Sequence, residues 1–221
     1  MIENLTYEYV HGTKVYLYQR KDMFRMNSDT ALLANFMKVL EGETLLDIGT
    51  NNGALLAVAQ TYHPSFLYGI DIQEEAIEVA RYNMQELGIS NCKLVVGDVC
   101  TTPLAKVDVI VCNPPYFKVD EDSNLNTSKA LAMARHETYL TLDALCLKVS
   151  SLLEEKGRFY MVHRAARLSD IVVTLRKYHL EVRNLQFVYD EAKDEAISVL
   201  VEAIKDGKSN THVLTPKTIE R

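Results

Sequence analysis

Short apolar runs alternate with helical patterns in the first half of the chain. Residues 44–49 form an apolar run that ends in Asp and Gly, and residues 54–62 then show a helical pattern. The same order repeats, with an apolar and aromatic run over 65–71 and an amphipathic stretch over 73–88 that ends at a glycine. Patterns of these lengths are typical of strands and helices. The sequence therefore predicts repeated strand–helix units.

The second half of the chain continues this alternation and ends in a hairpin pattern. Residues 92–98 and 106–113 are β-branched and nearly continuous, which is typical of strands that are buried on both faces of a sheet. The last two predicted strands are joined by a short DEAKD connection, which favours an antiparallel hairpin. Repeated βα units closed by a hairpin predict an α/β fold with a doubly wound, mostly parallel sheet. The remaining predicted elements are a helix over about 141–155, a strand over 157–163, a helix over 167–179, and the two last strands over 180–189 and 195–204.

Two parts of the chain lie outside this alternation. Residues 1–42 show β-type alternation around positions 11–13 and then an apolar helical run, with candidate N-cap residues at 27–29. These residues are predicted to form a cap, made of a hairpin and a helix, that packs on a main domain covering 43–221. Residues 114–137 are polar and have no clear period, which is typical of a functional loop or lid.

Composition narrows the class of protein. Of the 221 residues, 48% are apolar and 24% are charged, which is ordinary for one folded domain. The longest stretch without Asp, Glu, Lys or Arg, from Ile48 to Ile70, contains polar residues and Pro64, so it is not expected to span a membrane. The N-terminus lacks the basic and apolar regions of a signal peptide. We therefore expect a cytoplasmic protein, and a monomer is favoured although the oligomeric state stays open.

Cysteine spacing and net charge bear on two further classes. Cys92, Cys100, Cys112 and Cys146 form no CxxC pair, so reduced thiols and no metal site are expected. The net charge of −6 argues against a protein that binds nucleic acid through bulk positive charge. Residues 156–183 nevertheless carry seven Lys or Arg residues against two acids. For this segment alone, a solvated helix face is favoured over a nucleic-acid patch.

Acidic side chains stand at the ends of three predicted strands, where an open parallel sheet binds its ligand. They are Asp47, Asp71 and Asp98. A nicotinamide site would require a G-x-G-x-x-G turn, and an acid at position 47 would repel the pyrophosphate. Asp47 instead suits an ammonium group, as in the amino acid part of S-adenosylmethionine. Asp71 is placed to accept two ribose hydroxyls, and Asp98 is placed to reach the adenine amino group.

The next predicted strand ends in Asn113-Pro114-Pro115-Tyr116. An exocyclic amino group is a poor nucleophile because its lone pair is delocalised into the ring. If the Asn113 side-chain oxygen and the Pro114 carbonyl accept the two N–H bonds, the nitrogen can pyramidalise and direct its lone pair at an electrophile. The proline ring fixes the position of that carbonyl, and Tyr116 offers a ring face for a planar base. The motif resembles the one in methyltransferases that methylate a planar nitrogen, and this resemblance implies transfer to such an atom.

These features resemble the class I S-adenosylmethionine-dependent methyltransferases. The glycine-rich turn of that class usually reads D/E-x-G-x-G-x-G, and here Asn51 replaces the central glycine, a departure that bears on cofactor affinity. Asn tolerates a left-handed conformation better than other non-glycine residues, so we expect the turn to be kept. The resemblance implies a Rossmann-like, seven-stranded sheet of order 3-2-1-4-5-7-6 with an antiparallel strand at 195–204. It also implies cofactor contacts from Asp47, Gly49, Asn51, Gly53, Asp71, Ile72, Asp98, Val99 and Asn113.

Additional blocks are similar to the tRNA1(Val) adenine-N6-methyltransferase family. They are residues 27–36, the NPPYFK extension, the ARHE block at 134–137 with the LTLDAL that follows, and residues 157–164, and the similarity covers about residues 5–216. The resemblance implies methyl transfer to N6 of adenosine-37, beside the anticodon of a valine tRNA, with tRNA as the partner. It places Asp29 near the cofactor pocket, Asn113, Pro114, Pro115 and Tyr116 at the catalytic position, and Tyr116, Phe117, Lys118, Arg135 and Arg164 near the substrate.

Three alternatives stay open on the sequence. A protein-glutamine N5-methyltransferase of release-factor type also carries NPPY, but that family resembles this chain less because its N-terminal helical domain is longer. DNA adenine methylation usually requires an added target-recognition domain, for which this chain has no room. A catalytically inactive protein that binds S-adenosylmethionine or RNA would fit Asn51 but not the intact acids and NPPY motif. Methyl transfer to tRNA is therefore favoured.

Overall fold

The structure is a computed structural model that describes residues 4–23, 25–114 and 140–220. A short 3₁₀ turn at Ala165–Arg167 precedes the last helix. In chain order, the described elements are β1 (Leu5–Tyr9), β2 (Tyr16–Arg20), α1 (Ser28–Phe36), β3 (Thr44–Ile48), α2 (Ala54–Gln60), β4 (Phe66–Asp71), α3 (Glu74–Glu86), β5 (Cys92–Val96), β6 (Val107–Cys112), α4 (Leu142–Leu152), β7 (Leu153–Arg164), α5 (Leu168–Lys177), β8 (Leu180–Asp190), β9 (Ala196–Lys205), β10 (His212–Val213) and β11 (Lys217–Ile219).

The central sheet has the order β10-β8-β9-β7-β6-β3-β4-β5, and β11 also pairs with β8. Strands β3 to β7 are parallel to one another, whereas β9 is antiparallel to both β7 and β8. Numbered from β3, the seven long strands follow the order 3-2-1-4-5-7-6. The predicted Rossmann-like α/β fold and its antiparallel strand are therefore confirmed.

In the part of the chain that the structure describes, the sheet has nine strands, which are the seven predicted strands and two short additional ones. The two additional strands, β10 and β11, come from the C-terminal tail and lie parallel to β8 at the sheet edge. They have only two and three residues, and Val213 is 66% exposed. Pairing of this kind rests on backbone hydrogen bonds and leaves no hydrophobic period that a sequence pattern could report.

The core lies on both faces of the sheet, and β6 shows why its sequence is nearly continuously apolar. Val109 and Val111 contact the cluster that contains α1 and α2. Ile110 and Cys112 contact the opposite cluster, which contains α4 and α5. Because successive side chains of a strand point to opposite faces, both sets must be apolar. The polar residues that follow β6 are thereby brought to the carboxyl edge of the sheet.

The N-terminal segment contains the expected hairpin and helix. Strands β1 and β2 pair in antiparallel fashion as a separate two-stranded sheet. Asn27 caps α1, and its side chain accepts a hydrogen bond from the Thr30 backbone N–H at 3.0 Å. The hairpin is joined to α3, where Asn83 bonds both backbone groups of Tyr18. The division of the chain at residue 42 stays a prediction.

One predicted helix ends earlier than its pattern suggests. The helix expected over about 141–155 ends at Leu152, and β7 begins at Leu153 instead of at Gly157. Leu153 is fully buried and pairs with Val107 of β6, so the sheet outweighs the helix propensity of the Glu-Glu-Lys segment that follows. The predicted loop over 114–137 lies outside the described residues, apart from Pro114.

Two further features of the fold are the lengths of its helices and the state of its cysteines. Among the described residues, no helix has both the length and the apolar character needed to cross a bilayer. All four cysteines are free thiols, of which Cys112 and Cys146 are buried.

Candidate active site

A cavity of about 810 Å³ opens at the carboxyl ends of β3, β4 and β6. The loop after β5, the start of α1 and the start of β9 also contribute to its wall. The structure therefore brings together side chains that the sequence placed at separate strand ends. The predicted site residues that line the cavity are Asp29, Asp47, Gly49, Asn51, Asp71, Ile72, Asp98, Val99, Asn113, Pro114 and Arg164.

Pro115, Tyr116, Phe117, Lys118 and Arg135 lie outside the described residues.

Gly53 is described but is not among the residues that line the cavity, and its contact with the cofactor stays a prediction. It caps α2 with a φ of +81°, and a Cβ at this position would lie 3.0 Å from the Cε atom of Met84 in α3. A side chain at position 53 would thus meet both a left-handed backbone and a close helix neighbour. Gly53 is needed for the approach of α2 to α3.

The turn after β3 keeps its left-handed conformation at the position where the sequence departs from the glycine pattern. Gly49 and Asn51 have φ values of +72° and +49°. The Asn51 backbone N–H donates to Asp71 Oδ2 at 3.0 Å. Asn51 thus supports the turn as expected, and its backbone also fixes the neighbouring acid.

Asp71, at the end of β4, is held by two backbone donors. Besides Asn51, the Gln73 N–H donates to Asp71 Oδ1 at 3.0 Å. Asp71 is buried at the cavity wall. Since a carboxylate oxygen accepts more than one hydrogen bond, both oxygens can still accept hydroxyl groups. The arrangement is thus suited to a vicinal diol such as a ribose.

Asp47 carries the strongest electrostatic feature of the site. It is 1% exposed, and its Oδ2 accepts a hydrogen bond from the Thr50 hydroxyl at 2.8 Å. Its Oδ1 is buried without a hydrogen-bond partner among the described residues. Burial, together with the nearby charge of Asp71, raises the pKa of Asp47 to about 7. A buried carboxylate oxygen that lacks a hydrogen-bond partner is stabilised by binding a positively charged donor.

Asp98 and Val99 form the edge of the cavity after β5. Asp98 Oδ1 accepts the Cys100 N–H at 2.8 Å, and its carbonyl accepts the Thr102 N–H at 2.8 Å. These bonds fold the chain back on itself directly after the strand. Asp98 is half-buried, whereas Val99 is buried and supplies an apolar surface. A flat apolar ring with an amino group at its edge matches this combination.

Asn113 and Pro114 directly follow β6, the strand that pairs with β3. The Asn113 Nδ2 donates to the Thr30 hydroxyl oxygen at 3.1 Å, which ties the end of β6 to α1. Pro114 is buried. The amide and the proline thus lie beside the same cavity that Asp47 and Asp71 line.

Comparison with known proteins gives the family of the chain. The sequence model of the methyltransferase domain family matches residues 40–213. The chain belongs to this methyltransferase family. The prediction that it is an enzyme of methyl transfer is therefore confirmed.

Two relatives of this methyltransferase carry the same name. The chain is 27% identical over 187 residues to the tRNA1(Val) (adenine(37)-N6)-methyltransferase of Phocaeicola vulgatus, and the aligned region covers 84% of the chain and 79% of the relative. The chain is 34% identical over 155 residues to the protein of the same name from Porphyromonas gingivalis, and this aligned region covers 63% of the chain and 59% of the relative. These relatives confirm the family resemblance that the motifs indicated.

Solved structures support the fold of the methyltransferase. A predicted O-methyltransferase from Agrobacterium tumefaciens matches with a TM-score of 0.66 at 14% identity, covering 86% of each chain. The ribosomal protein L11 methylase of Lactobacillus delbrueckii subsp. bulgaricus matches with a TM-score of 0.63 at 19% identity, covering 85% of this chain and 84% of that one. At these identities the likeness establishes the fold alone.

Sequence reasoning missed several residues of the methyltransferase site. The Ser198 hydroxyl, from β9, donates to Asp29 Oδ1 at 3.2 Å, and both residues are buried. Thr30 contacts Asn113 across the cavity wall. The signal for Ser198 was its position as a lone hydroxyl in an apolar strand. Thr30 had no such signal, because a threonine in the first turn of a helix is common.

The basic segment of the methyltransferase is largely neutralised by ion pairs. Arg158 pairs with Glu43, and Arg167 pairs with Asp170 at 3.2 Å. Two more pairs are Arg176 with Glu181 at 3.0 Å and Lys177 with Asp143 at 2.6 Å. These pairs favour the solvated-face interpretation for most of the segment. Arg164, from the same segment, is exposed and lines the cavity.

Proposed function

We propose that the chain transfers a methyl group from S-adenosylmethionine to the exocyclic N6 of an adenosine in tRNA. The observation that carries the proposal is that Asn113 and Pro114 line the same cavity as Asp47 and Asp71. A donor site and an acceptor motif for a planar amino group thus share one cavity. The names of the relatives supply the substrate class.

The acids of the cavity fit S-adenosylmethionine. The unpartnered Oδ1 of Asp47 would bind its ammonium group, and the fixed carboxylate of Asp71 would accept its ribose hydroxyls. Asp98 and Val99 would receive the adenine ring. When bound, this cofactor supplies an electrophilic methyl carbon on a sulfonium. The residues of the chain have the task of holding it and of presenting the nucleophile.

Asn113 and Pro114 would activate the target nitrogen without a general base. The side-chain oxygen of Asn113 and the carbonyl of Pro114 accept the two N–H bonds of the amino group. This contact pulls the lone pair out of conjugation and aligns it with the methyl group. Tyr116, by the resemblance of its motif, would stack on the target base.

The target within tRNA comes from the relatives. Their name specifies adenosine-37 of a valine tRNA, and we extend that target to this chain as part of the proposal. An anticodon-loop base is already single-stranded, so its extrusion into a cavity requires less unstacking than a base in a duplex.

Methyl transfer to unmodified total tRNA, followed by nucleoside mass spectrometry, tests this function. We expect N6-methyladenosine in valine tRNA. Asn113→Ala should keep most of its cofactor affinity, because Asp47 and Asp71 remain, and should lower transfer roughly 10²-fold, as the loss of an oxyanion-hole donor does. Asn210→Ala, at an exposed position, is the matched control and should transfer normally.

Three other outcomes would each contradict the proposal. Wild-type activity in Asn113→Ala would exclude the amino-group mechanism. Transfer to a glutamine in a release-factor peptide, with no transfer to tRNA, would indicate the protein-glutamine alternative. Cofactor binding without transfer to any of these substrates would indicate a binding protein.

A further inference from the structure

A chain of hydrogen bonds connects Asn113 to the N-cap of α1. The Asn113 Nδ2 donates to Thr30 Oγ1 at 3.1 Å. The Thr30 hydroxyl lies 3.3 Å from Asn27 Oδ1, and the Thr30 backbone N–H lies 3.0 Å from the same oxygen. Thr30 is only 8% exposed, so water competes little for its hydroxyl. These bonds connect the side chains of Asn113, Thr30 and Asn27, and each side chain donates to the next.

The direction of this chain follows from its first donor. A backbone N–H can only donate, so the Asn27 atom that it meets must be the amide oxygen. That oxygen can accept a second bond, and the hydroxyl proton of Thr30 is directed to it. The Thr30 oxygen then has only lone pairs to offer to Asn113. The Asn113 group that faces Thr30 must therefore be the NH₂ end of its amide.

We propose that Thr30 is a positioning residue that sets the polarity of the Asn113 amide. With the NH₂ end held by Thr30, Oδ1 is the end that is presented to the target amino group. A flipped amide would place its own N–H bonds against those of the target, which would repel it. The inference rests on the proposed function and names the residue that makes Asn113 an acceptor. Thr30 acts through Asn113 and does not itself need to contact the substrate.

The β-branched shape of threonine contributes to this role. Its two heavy atoms on Cβ restrict rotation about χ1 more than those of serine. The capping bond to Asn27 fixes the start of the helix from which the side chain projects. The hydroxyl is thus held in place by the backbone as well as by its own hydrogen bonds.

Two substitutions separate the hydroxyl from the shape of Thr30. Thr30→Val keeps the branched shape and removes the hydroxyl, whereas Thr30→Ser keeps the hydroxyl. We expect Thr30→Val to lower kcat for tRNA methylation about threefold to tenfold, as the loss of one ordinary hydrogen bond does. The tRNA KM and the cofactor Kd should stay near their wild-type values. Thr30→Ser should restore most of kcat.

The matched control is Thr61→Val. The Thr61 hydroxyl donates to the Val58 carbonyl at 2.7 Å, and Thr61 does not line the cavity. This variant should leave kcat unchanged. Thermal unfolding of each variant reports separately on stability.

A double variant decides whether Thr30 acts through Asn113. In an Asn113→Ala background the amide is gone, so Thr30→Val should cause no further loss of kcat. If Thr30→Val slows that background by the same factor as the wild type, or if Thr30→Ser is as slow as Thr30→Val, the inference is wrong. Wild-type kcat in Thr30→Val overturns it as well. Absence of tRNA methylation by the wild type would instead contradict the proposed function.

Discussion

The buried carboxyl group of Asp47 connects the chemistry of one residue with the pH at which the site can bind its ligand. Burial and the proximity of Asp71 raise its pKa to about 7. Near neutral pH the group is therefore divided between a neutral form and a carboxylate. Only the carboxylate can pair with an ammonium group at full strength. A bound ammonium would in turn favour ionisation of the acid.

Binding of S-adenosylmethionine should therefore weaken as the pH falls below about 7. Between about pH 5.5 and pH 7, we expect the affinity to drop toward tenfold per pH unit, because the protonated acid must lose its proton to bind. Isothermal titration calorimetry over this range measures the effect.

The control for this prediction is Asp47→Asn. It should bind the cofactor more weakly at neutral pH and should show a flatter pH dependence than the wild type. If both proteins lose affinity with the same slope, another group controls binding.

Some residues of the site were predictable from the sequence, and others were not. Asp47, Asp71 and Asp98 were found because the carboxyl ends of parallel strands meet at one edge of the sheet. Thr30 and Ser198 were not, since their partners lie 83 and 169 residues away in sequence. A sequence pattern reports period and strand ends, but it does not report which side chains meet across a cavity.

A buried side chain of α3, Asn83, connects the N-terminal hairpin to the rest of the fold. Asn83 is 1% exposed, and its Oδ1 accepts the Tyr18 N–H at 2.7 Å. Its Nδ2 donates to the carbonyls of Tyr18 at 2.8 Å and Asn52 at 2.9 Å. Asn83 therefore joins β2 to the turn that carries Asn51. The hairpin is thereby connected to the cofactor side of the site.

Asn83→Ala should destabilise the protein by about 1–3 kcal/mol or more, because it leaves buried backbone groups without partners. Urea unfolding measures the loss as a lower midpoint. Asn91→Ala is the control, since the Asn91 side chain donates to the Pro64 carbonyl at 3.0 Å from a half-buried position. A loss no larger in Asn83→Ala than in Asn91→Ala would mean that the hairpin is held by other contacts.

The hydrophobic pattern also predicted some helices and strands better than others. The central strands were predictable because burial on both faces makes them continuously apolar. The end of α4 was not, because Leu153 fits a helix pattern as well as a strand pattern and its pairing with Val107 decides. The edge strands β10 and β11 were not, because they bury too little apolar surface to leave a period.

For the whole molecule, the net charge of −6 limits how an RNA substrate can be attracted. Arg164 is an exposed basic side chain that lines the cavity, where a phosphate of the substrate could approach it. Arg164→Ala should raise the tRNA KM and lower the slope of log KM against log salt by about one. Steady-state kinetics at several salt concentrations measure this slope. Arg176→Ala, at an exposed ion pair with Glu181, should leave it unchanged.

Two buried groups, His163 and Asp47, act in opposite directions on the pH dependence of the protein's stability. Burial, together with the charge of Arg167, lowers the pKa of His163 from 6.5 to about 4. The unfolded chain therefore takes up a proton that the folded chain refuses, so this contribution to stability is present above pH 6.5 and is lost as the pH falls toward 4. Asp47 has the reverse sign, since its folded pKa of about 7 lies above the unfolded value of 3.8. Its contribution is present below pH 3.8 and is lost as the pH rises through 7.

These two contributions, each on the order of 3–4 kcal/mol, should largely cancel between about pH 4.5 and pH 6.5. Removing either group should uncover the other. Relative to the wild type, His163→Gln should become less stable as the pH rises across this range, and Asp47→Asn should become more stable. Urea unfolding at each pH gives both slopes, and subtracting the wild-type curve removes the titration of groups that all three proteins share. Parallel curves for the three proteins would mean that neither group titrates differently in the folded and unfolded states.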